Sequence, residues 1–555
     1  MAPISRLSDD VLRMIFKECY NVMTEDNPCV LHDLIHCTQD HSRQYDWFLL
    51  AFVCRKWRAI VLNMPFLWSK FVVGDLRVTQ MFLALSKTAP LFIKVPLTAQ
   101  ILPTYEVFKA FPRIRSIELD VKSIVDLNLE PRFPKEAPIL QKIVLRNHKA
   151  VKRGLGRIQP GEENNGDIPI PGVFDHCPLP SLTSLSIEGF TPDWRNRIFV
   201  PTLSNLTVRV TAMNKYGKPE GCILDALDQM KNLRILDLTF EYASLNGLTR
   251  QTRQVSLPKL EELALCDSTE SCAYLLERLE YPVTTTVCIY ITEGGRASPS
   301  LPSLLATACS RLSVPGAPQI LTVGLWESLD LHGGGRNLAF WDKVVETRVN
   351  LSFPHPVKPL FHIEIRCSWD WVALFTLGVS LGPVSNTLVL LIKCGIHYSE
   401  DPWEVVKESM PKVHTLHWRP DMAVLERLLS RDILHKSKRT KETKPFFPDL
   451  RTLILQGIYF RADAIWALEN GLSERKESGR PIRTLELLEC EKLDSWIVES
   501  VRGSVDQLIW QEEPSGNESG DDYDDGEAEL EYGTESSYQS SDEDIPDETA
   551  PHPKA

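Results

Sequence analysis

Leu182-Thr183-Ser184-Leu185-Ser186-Ile187 and Leu203-Ser204-Asn205-Leu206-Thr207-Val208 share one pattern, apolar-x-x-apolar-x-apolar. Its last two apolar positions alternate as a half-buried strand requires. The pattern starts again at Ile114, Leu140, Leu233, Leu260, Ile320, Leu360, Val413, Leu450, Ile482 and Val505, with degenerate copies at Val287–Ile289 and Leu388–Leu390. Proline announces several copies, as in Leu257-Pro258-Lys259-Leu260 and Phe447-Pro448-Asp449-Leu450. A strand that buries alternate residues needs a neighbour on each edge, and stacked strand-plus-helix copies supply both.

The closer copies start 21 to 32 residues apart, near the leucine-rich-repeat period of roughly 20–29. The fold class expected is therefore α/β, with an irregular leucine-rich-repeat-like solenoid over residues 73–510. The competing reading is a mixed α/β domain with Leu-rich strands. In a solenoid the residue before the last apolar position points outward from a continuous strand face. That rule selects Glu118, Ser186, Thr207, Asp237, Ala264, Glu364, His417, Ile454 and Glu486 as an exposed strip. It mixes acidic, polar and apolar side chains, which suits a protein partner better than a polyanion.

Upstream of the array the periodicity changes. In Trp47–Phe71, the residues Leu50, Val53, Cys54, Trp57, Ile60, Val61 and Met64 form one helical stripe, with Arg55, Lys56 and Arg58 opposite. Asn63-Met64-Pro65 should stop this helix, because proline lacks an N–H and restricts the residue before it. An earlier helix is capped by Ser8, has Asp9 and Asp10 at its positive end, and places Leu7, Val11, Leu12, Ile15, Phe16 and Cys19 on one face. After Pro65, Leu67 and Trp68 can fold back on the stripe. Phe82–Leu97 then reads as a short helix, a break at Pro90 and a strand at Leu91–Val95.

These residues resemble an F-box, and more narrowly the F-box proteins common in mushroom-forming fungi. The resemblance rests on Leu7-Ser8-x-x-x-Leu12-x-x-Ile15-Phe16, Val53-Cys54-Arg55-x-Trp57-Arg58-x-Ile60 and Met64-Pro65-x-Leu67-Trp68. It covers residues 1–72, with an insert at 21–45 longer than a minimal F-box needs. Leu7-Ser8 stands where the family usually has Leu-Pro. Further on, Leu485-x-Leu487-x-x-Cys490-x-x-Leu493 is similar to the cysteine-containing repeat of many F-box proteins. The resemblance implies an all-α head that docks on a Skp-type adaptor, and through it on a cullin–RING ubiquitin ligase. By position, Leu7, Leu12, Ile15, Phe16, Leu50, Val53, Trp57, Leu67 and Trp68 would form or support that interface. The strip, above all Glu118, Ser186, Thr207, Asp237, Glu364, His417 and Glu486, would then hold a protein substrate whose identity the sequence does not give. A plain interaction scaffold without a ligase role is the alternative function.

At 555 residues the chain exceeds one compact core. It is 43% hydrophobic and 24% charged, the balance of a soluble folded protein. The formal net charge of −13 is concentrated at the end. Residues 511–555 hold 16 Asp plus Glu against one Lys, which leaves the rest of the chain at +2. That tail buries too little apolar surface to offset ordering entropy and is expected to be disordered. Within it, Ser519, Ser540 and Ser541 each precede an acidic residue by three positions. The near-neutral body carries no nucleic-acid footprint. No signal peptide is seen, nor an apolar run of about 18 residues that would suggest a membrane span. The 13 scattered cysteines fit a reducing cytoplasmic or nuclear setting.

Two stretches imitate chemistry. His332-Gly333-Gly334-Gly335 with Gly378-Val379-Ser380-Leu381-Gly382 resembles the oxyanion loop and nucleophile elbow of an α/β-hydrolase. An elbow needs a helix after its serine, and here Pro383 and a strand-like run follow. Cys29, His32, His36, Cys37 and His41 are zinc-ligand types within 13 positions, but no second Cys-x-x-Cys knuckle supports them. The expectation is a non-enzyme without metal or cofactor. Between the copies, Arg153–Gly172, Gly294–Ser303 and the basic Lys436–Lys444 read as loops.

Overall fold

Alternation in the recurring pattern becomes strand pairing in the computed structural model. It describes residues 7–24, 45, 47–96, 99–121, 136–147, 174, 177–210, 223–240, 253–292, 300–328, 335–345, 358–365, 378–379, 382–393, 405–406, 408–419, 447–460, 462–493 and 495–510. The fold is mixed α/β, with ten α-helices and a seventeen-stranded, mostly parallel sheet among those residues. The early strands are β1 (Lys70–Val72), β2 (Leu91–Val95), β3 (Ile114–Val121), β4 (Lys142–Asn147), β5 (Ser184–Glu188), β6 (Asn205–Val210) and β7 (Ile235–Phe240). The middle ones are β8 (Val255–Ser256), β9 (Glu262–Asp267), β10 (Leu279–Glu280), β11 (Thr286–Ile291), β12 (Thr322–Ser328), β13 (Gly335–Trp341) and β14 (Phe361–Ile365). The last are β15 (Val389–Lys393), β16 (Thr415–Trp418), β17 (Thr452–Gln456), β18 (Thr484–Leu488) and β19 (Gln507–Trp510). Strands β8 and β10 form a separate parallel pair.

Register follows the pattern. Leu206 lies between Leu185 and Leu236, and Val208 between Ile187 and Leu238. These positions are buried in one continuous core, joined by helical residues such as Phe82, Phe108, Leu227, Leu276, Leu305, Leu468 and Val501. Those helices are α4 (Leu76–Leu85), α5 (Ile101–Lys109), α6 (Ile223–Gln229), α7 (Thr269–Arg278), α8 (Leu301–Leu312), α9 (Ala462–Glu477) and α10 (Ser495–Arg502). The prolines make the entry turns. Leu203, Leu260 and Leu450 each donate an N–H to the carbonyl three residues back, at 3.2, 3.2 and 3.0 Å, across a Pro at the second turn position.

The order of strands is sequential up to β11 and again from β15, but inverted between them. Strand β11 pairs with β14, β14 with β13, β13 with β12, and β12 with β15. Only β13 runs antiparallel to its neighbours among these pairs. It also lies outside the recurring pattern. Register in β14 differs from the sequence reading: Phe361 and Ile363, not Ile363 and Ile365, align with Val287 and Ile289. Alternation is satisfied by either choice, and only the partner strand decides. The loop expected to run to Ser303 instead gives way at Leu301 to α8, with Pro302 in its first turn.

The head contains α1 (Asp9–Thr24), α2 (Leu50–Val53) and α3 (Arg55–Leu62). The expected single helix breaks at Cys54, whose backbone is extended (φ −160, ψ 170) and whose Sγ accepts from the Trp57 N–H at 3.5 Å. Cys54 is therefore an exposed N-cap and not part of an apolar stripe. Leu12, Phe16 and Tyr20 bury one face of α1, and Phe16 meets Trp57 edge-on at 4.8 Å. Trp68 donates its indole N–H to the Val61 carbonyl at 3.0 Å and packs on Trp47 at 5.3 Å. Phe71 of β1 stacks on Phe82 of α4 at 4.9 Å, so the head shares its core with the start of the sheet.

Candidate interaction surfaces

The head leaves apolar side chains outside its core. Phe52 is 68% exposed, Leu49 66%, Met14 65% and Val53 59%, with Ile15 also exposed. Leu49, Phe52 and Val53 are spaced so as to share one side of a helical turn. Seven consecutive apolar residues, Trp47 to Val53, cannot all face one small core, and Trp47 and Ala51 take the inside. Of the nine residues expected at a partner interface, Ile15 and Val53 are exposed, and Leu7, Leu50 and Trp57 are half-buried. Leu12, Phe16, Leu67 and Trp68 are fully buried and hold the head together. Sequence reasoning missed Met14, Leu49 and Phe52. The signal was present in the length of the apolar run. Lys56 ties α3 to the start of α1, donating to the Leu7 carbonyl at 2.9 Å and pairing with Asp9 at 3.2 Å.

The predicted strip is one register row, but it changes character along the sheet. Glu118, Ser186, Thr207 and Ala264 are half-exposed. Asp237, His417, Ile454 and Glu486 are buried, contrary to the expectation that they point into solvent. Glu364 is buried too and lies outside the row, because His362 is what aligns with Cys288 and, through it, Ala264. Asp237 is paired with Arg209, and over β12, β13 and β15 the same face carries a second, smaller core: Trp326, Ala339, Trp341, Val345, Val389 and Leu391. Gly324 belongs to the same place, where an added Cβ would come within 2.8 Å of the Trp341 ring. His362 stacks on Trp326 at 5.6 Å and donates from Nε2 to Asn337 Oδ1 at 2.9 Å.

Over β3 to β7 the same face carries an ionic ladder. Arg146 reaches Glu188 at 3.2 Å, Glu118 at 3.3 Å and Asp120 at 3.6 Å, and Arg209 reaches Asp237 at 2.7 Å. Burial opposes the charge on Arg146, but Glu188, Glu118 and Asp120 outweigh it and hold the guanidinium above its ordinary range. Burial is likewise outweighed at Arg209, chiefly by Asp237. Elsewhere, α9 and α10 flank an open groove of about 430 Å³ lined by Phe460, Ile465, Trp466, Glu469, Lys492, Trp496 and Ile497. Lys492 sits 5.5 Å from the Tyr459 ring beside it.

Ser380 and His332 of the hydrolase-like stretch lie outside the described residues, as do Cys29, His32, His36, Cys37 and His41. So do Arg153–Gly172, Lys436–Lys444 and the acidic segment from Gln511 onward. After Gly382 the chain makes a 3-10 turn at Val384–Asn386 and enters β15, where a nucleophile elbow would need a helix. Among the described residues no three His, Cys, Asp or Glu side chains converge as metal ligands, and no helix is long and apolar enough to cross a membrane. No protein-family model matches the chain, and no curated protein matches its sequence.

Proposed function

We propose that the chain is a non-catalytic recognition adaptor whose N-terminal head binds a Skp-type subunit of a cullin–RING ubiquitin ligase. Its stacked strands form a repeat solenoid that presents a protein substrate. The observation that carries this reading is the exposed apolar set on α1 and α2, namely Met14, Ile15, Leu49, Phe52 and Val53. Leu49, Phe52 and Val53 are grouped on one helical turn, and exposed apolar residues that are grouped, unlike scattered ones, support a docking role. The F-box resemblance of residues 1–72 names the partner class. The half-exposed Glu118, Ser186, Thr207 and Ala264 mark the substrate face.

The test uses the full chain and a purified Skp-type adaptor. Phe52→Glu with Val53→Glu should weaken binding by about 2 kcal/mol, roughly thirtyfold in Kd, while leaving the thermal midpoint in place. Unchanged affinity in a folded double variant removes the adaptor reading. Capture of a cullin through the adaptor separates a ligase subunit from a plain scaffold.

A further inference from the structure

The register row two residues beyond the strip, on the same face, holds the charges of the sheet face. Asp120, Arg146, Glu188 and Arg209 are consecutive cross-strand neighbours, so cations alternate with anions and pair with them. Further along, the same row reaches Trp326 of β12, whose partner on β15 is Lys393. Arg419 follows, one residue past β16, with its N–H donated to the Ile392 carbonyl at 2.9 Å. Lys393 and Arg419 are thus cross-strand neighbours of like charge, the arrangement that destabilises a sheet.

Among the described residues neither has an ion-pair partner, and Glu489 is the one carboxylate that acts on Lys393. Neither side chain makes a hydrogen bond or an ion pair there. Glu489 acts on Lys393 only beyond ion-pair distance, and its Oε2 is taken by the Gln456 side-chain amide at 2.9 Å. The oxygen of that same amide, Gln456 Oε1, accepts from His417 Nε2 at 2.9 Å, so His417 is engaged as well. Lys393 is half-buried beside the buried Trp326, where an unpaired ammonium is costly. Burial, reinforced by the charge of Arg419, lowers its pKa to about 8. Arg419 passes over Gly457, whose φ of +61 and missing side chain leave the guanidinium room: a Cβ would sit 3.4 Å from its Nε.

We propose that Lys393 and Arg419 form a binding site for a phosphoryl dianion at the C-terminal edge of β15 and β16. Two charges on the ligand neutralise both cations, where a single carboxylate would leave one unmatched. The planar guanidinium takes two phosphoryl oxygens and the ammonium a third. The phosphoryl group belongs either to a phosphorylated side chain of a protein partner or to a free phosphate compound. The site stands whether or not the head binds an adaptor.

Acetylation of Lys393 by an activated ester near neutral pH, read by mass spectrometry on the full chain, tests it. A bound dianion restores the ammonium, and a rise of one pKa unit slows acetylation about tenfold. Inorganic phosphate should give this protection relative to chloride at matched ionic strength, and Arg419→Gln should abolish it. Arg419 is exposed, so the variant folds, and its thermal midpoint in chloride verifies that. Arg419→Lys, which keeps charge without the planar fork, should protect only in part. Equal protection by chloride, or full protection surviving in Arg419→Gln, overturns the site. A degenerate peptide pool bearing phosphoserine then distinguishes the sources. Protection at lower concentration than inorganic phosphate assigns the site to phosphorylated protein, and parity assigns it to a free phosphate compound. Equal protection by the unphosphorylated pool overturns the proposal.

Discussion

At the scale of single residues, His362 shows how the second core constrains ionisation. Its ring is sandwiched against Trp326 and meets Tyr290 edge-on at 5.7 Å, with no solvent exposure. Burial lowers its pKa to about 3, against an ordinary value near 6.5 in the unfolded chain. Below about pH 6.5 the unfolded chain takes up a proton that the folded one refuses, so stability falls as pH falls from there to about 3. The slope contributed is about 1.4 kcal/mol per pH unit. His362→Phe keeps the stack on Trp326 but has no proton to gain. It should lower stability near neutrality through the lost hydrogen bond to Asn337, and flatten the pH dependence between about pH 4 and 6 by that slope. Urea unfolding at several pH values measures both, and an unchanged slope would show that His362 protonates freely.

At the scale of elements, most strands were legible because alternation and proline entry turns agree locally. The strand predicted at Leu91–Val95 forms with those bounds, and the degenerate copies at Val287–Ile289 and Leu388–Leu390 lie in or run into β11 and β15. The break between α2 and α3 was not legible. Cys54 fits an apolar stripe by spacing, and only the Sγ contact to the Trp57 N–H reveals it as a cap. Cysteine is a weak acceptor in that role, whereas aspartate is among the strongest N-caps. Cys54→Asp should therefore raise stability by about 1 kcal/mol, seen as a higher thermal midpoint. A lower midpoint would mean that the helix runs unbroken through this position, with Cys54 against the core. The candidate head surface was half legible for a related reason. Periodicity identifies which residues are apolar and in phase, but Leu12 and Phe16 against Ile15 and Val53 are sorted only by where α3 lies.

At the scale of the molecule, the inversion at β14, β13 and β12 divides the sheet face into two regimes that one sequence pattern cannot distinguish. No local signal announces that β14 and β13 lie between β11 and β12, because the pairings that set the inversion, β11 with β14 and β12 with β15, join segments distant in the chain. The tryptophans that cover the face past this point, Trp326 and Trp341, are brought together across the antiparallel pair. Ser186, Thr207, Leu391 and Ile454 consequently occupy the same register row, yet the first two are half-exposed and the last two buried. Arginine substitution separates them. Ser186→Arg and Thr207→Arg place the charge in solvent and should shift stability by no more than about 0.5 kcal/mol. Leu391→Arg and Ile454→Arg bury an unpaired charge and lose a packed side chain, which together should cost more than about 4 kcal/mol. Urea midpoints of the four variants decide it. Equal tolerance at all four positions would mean that the strand face is open from end to end, and the second core around Trp326 and Trp341 would have to be abandoned.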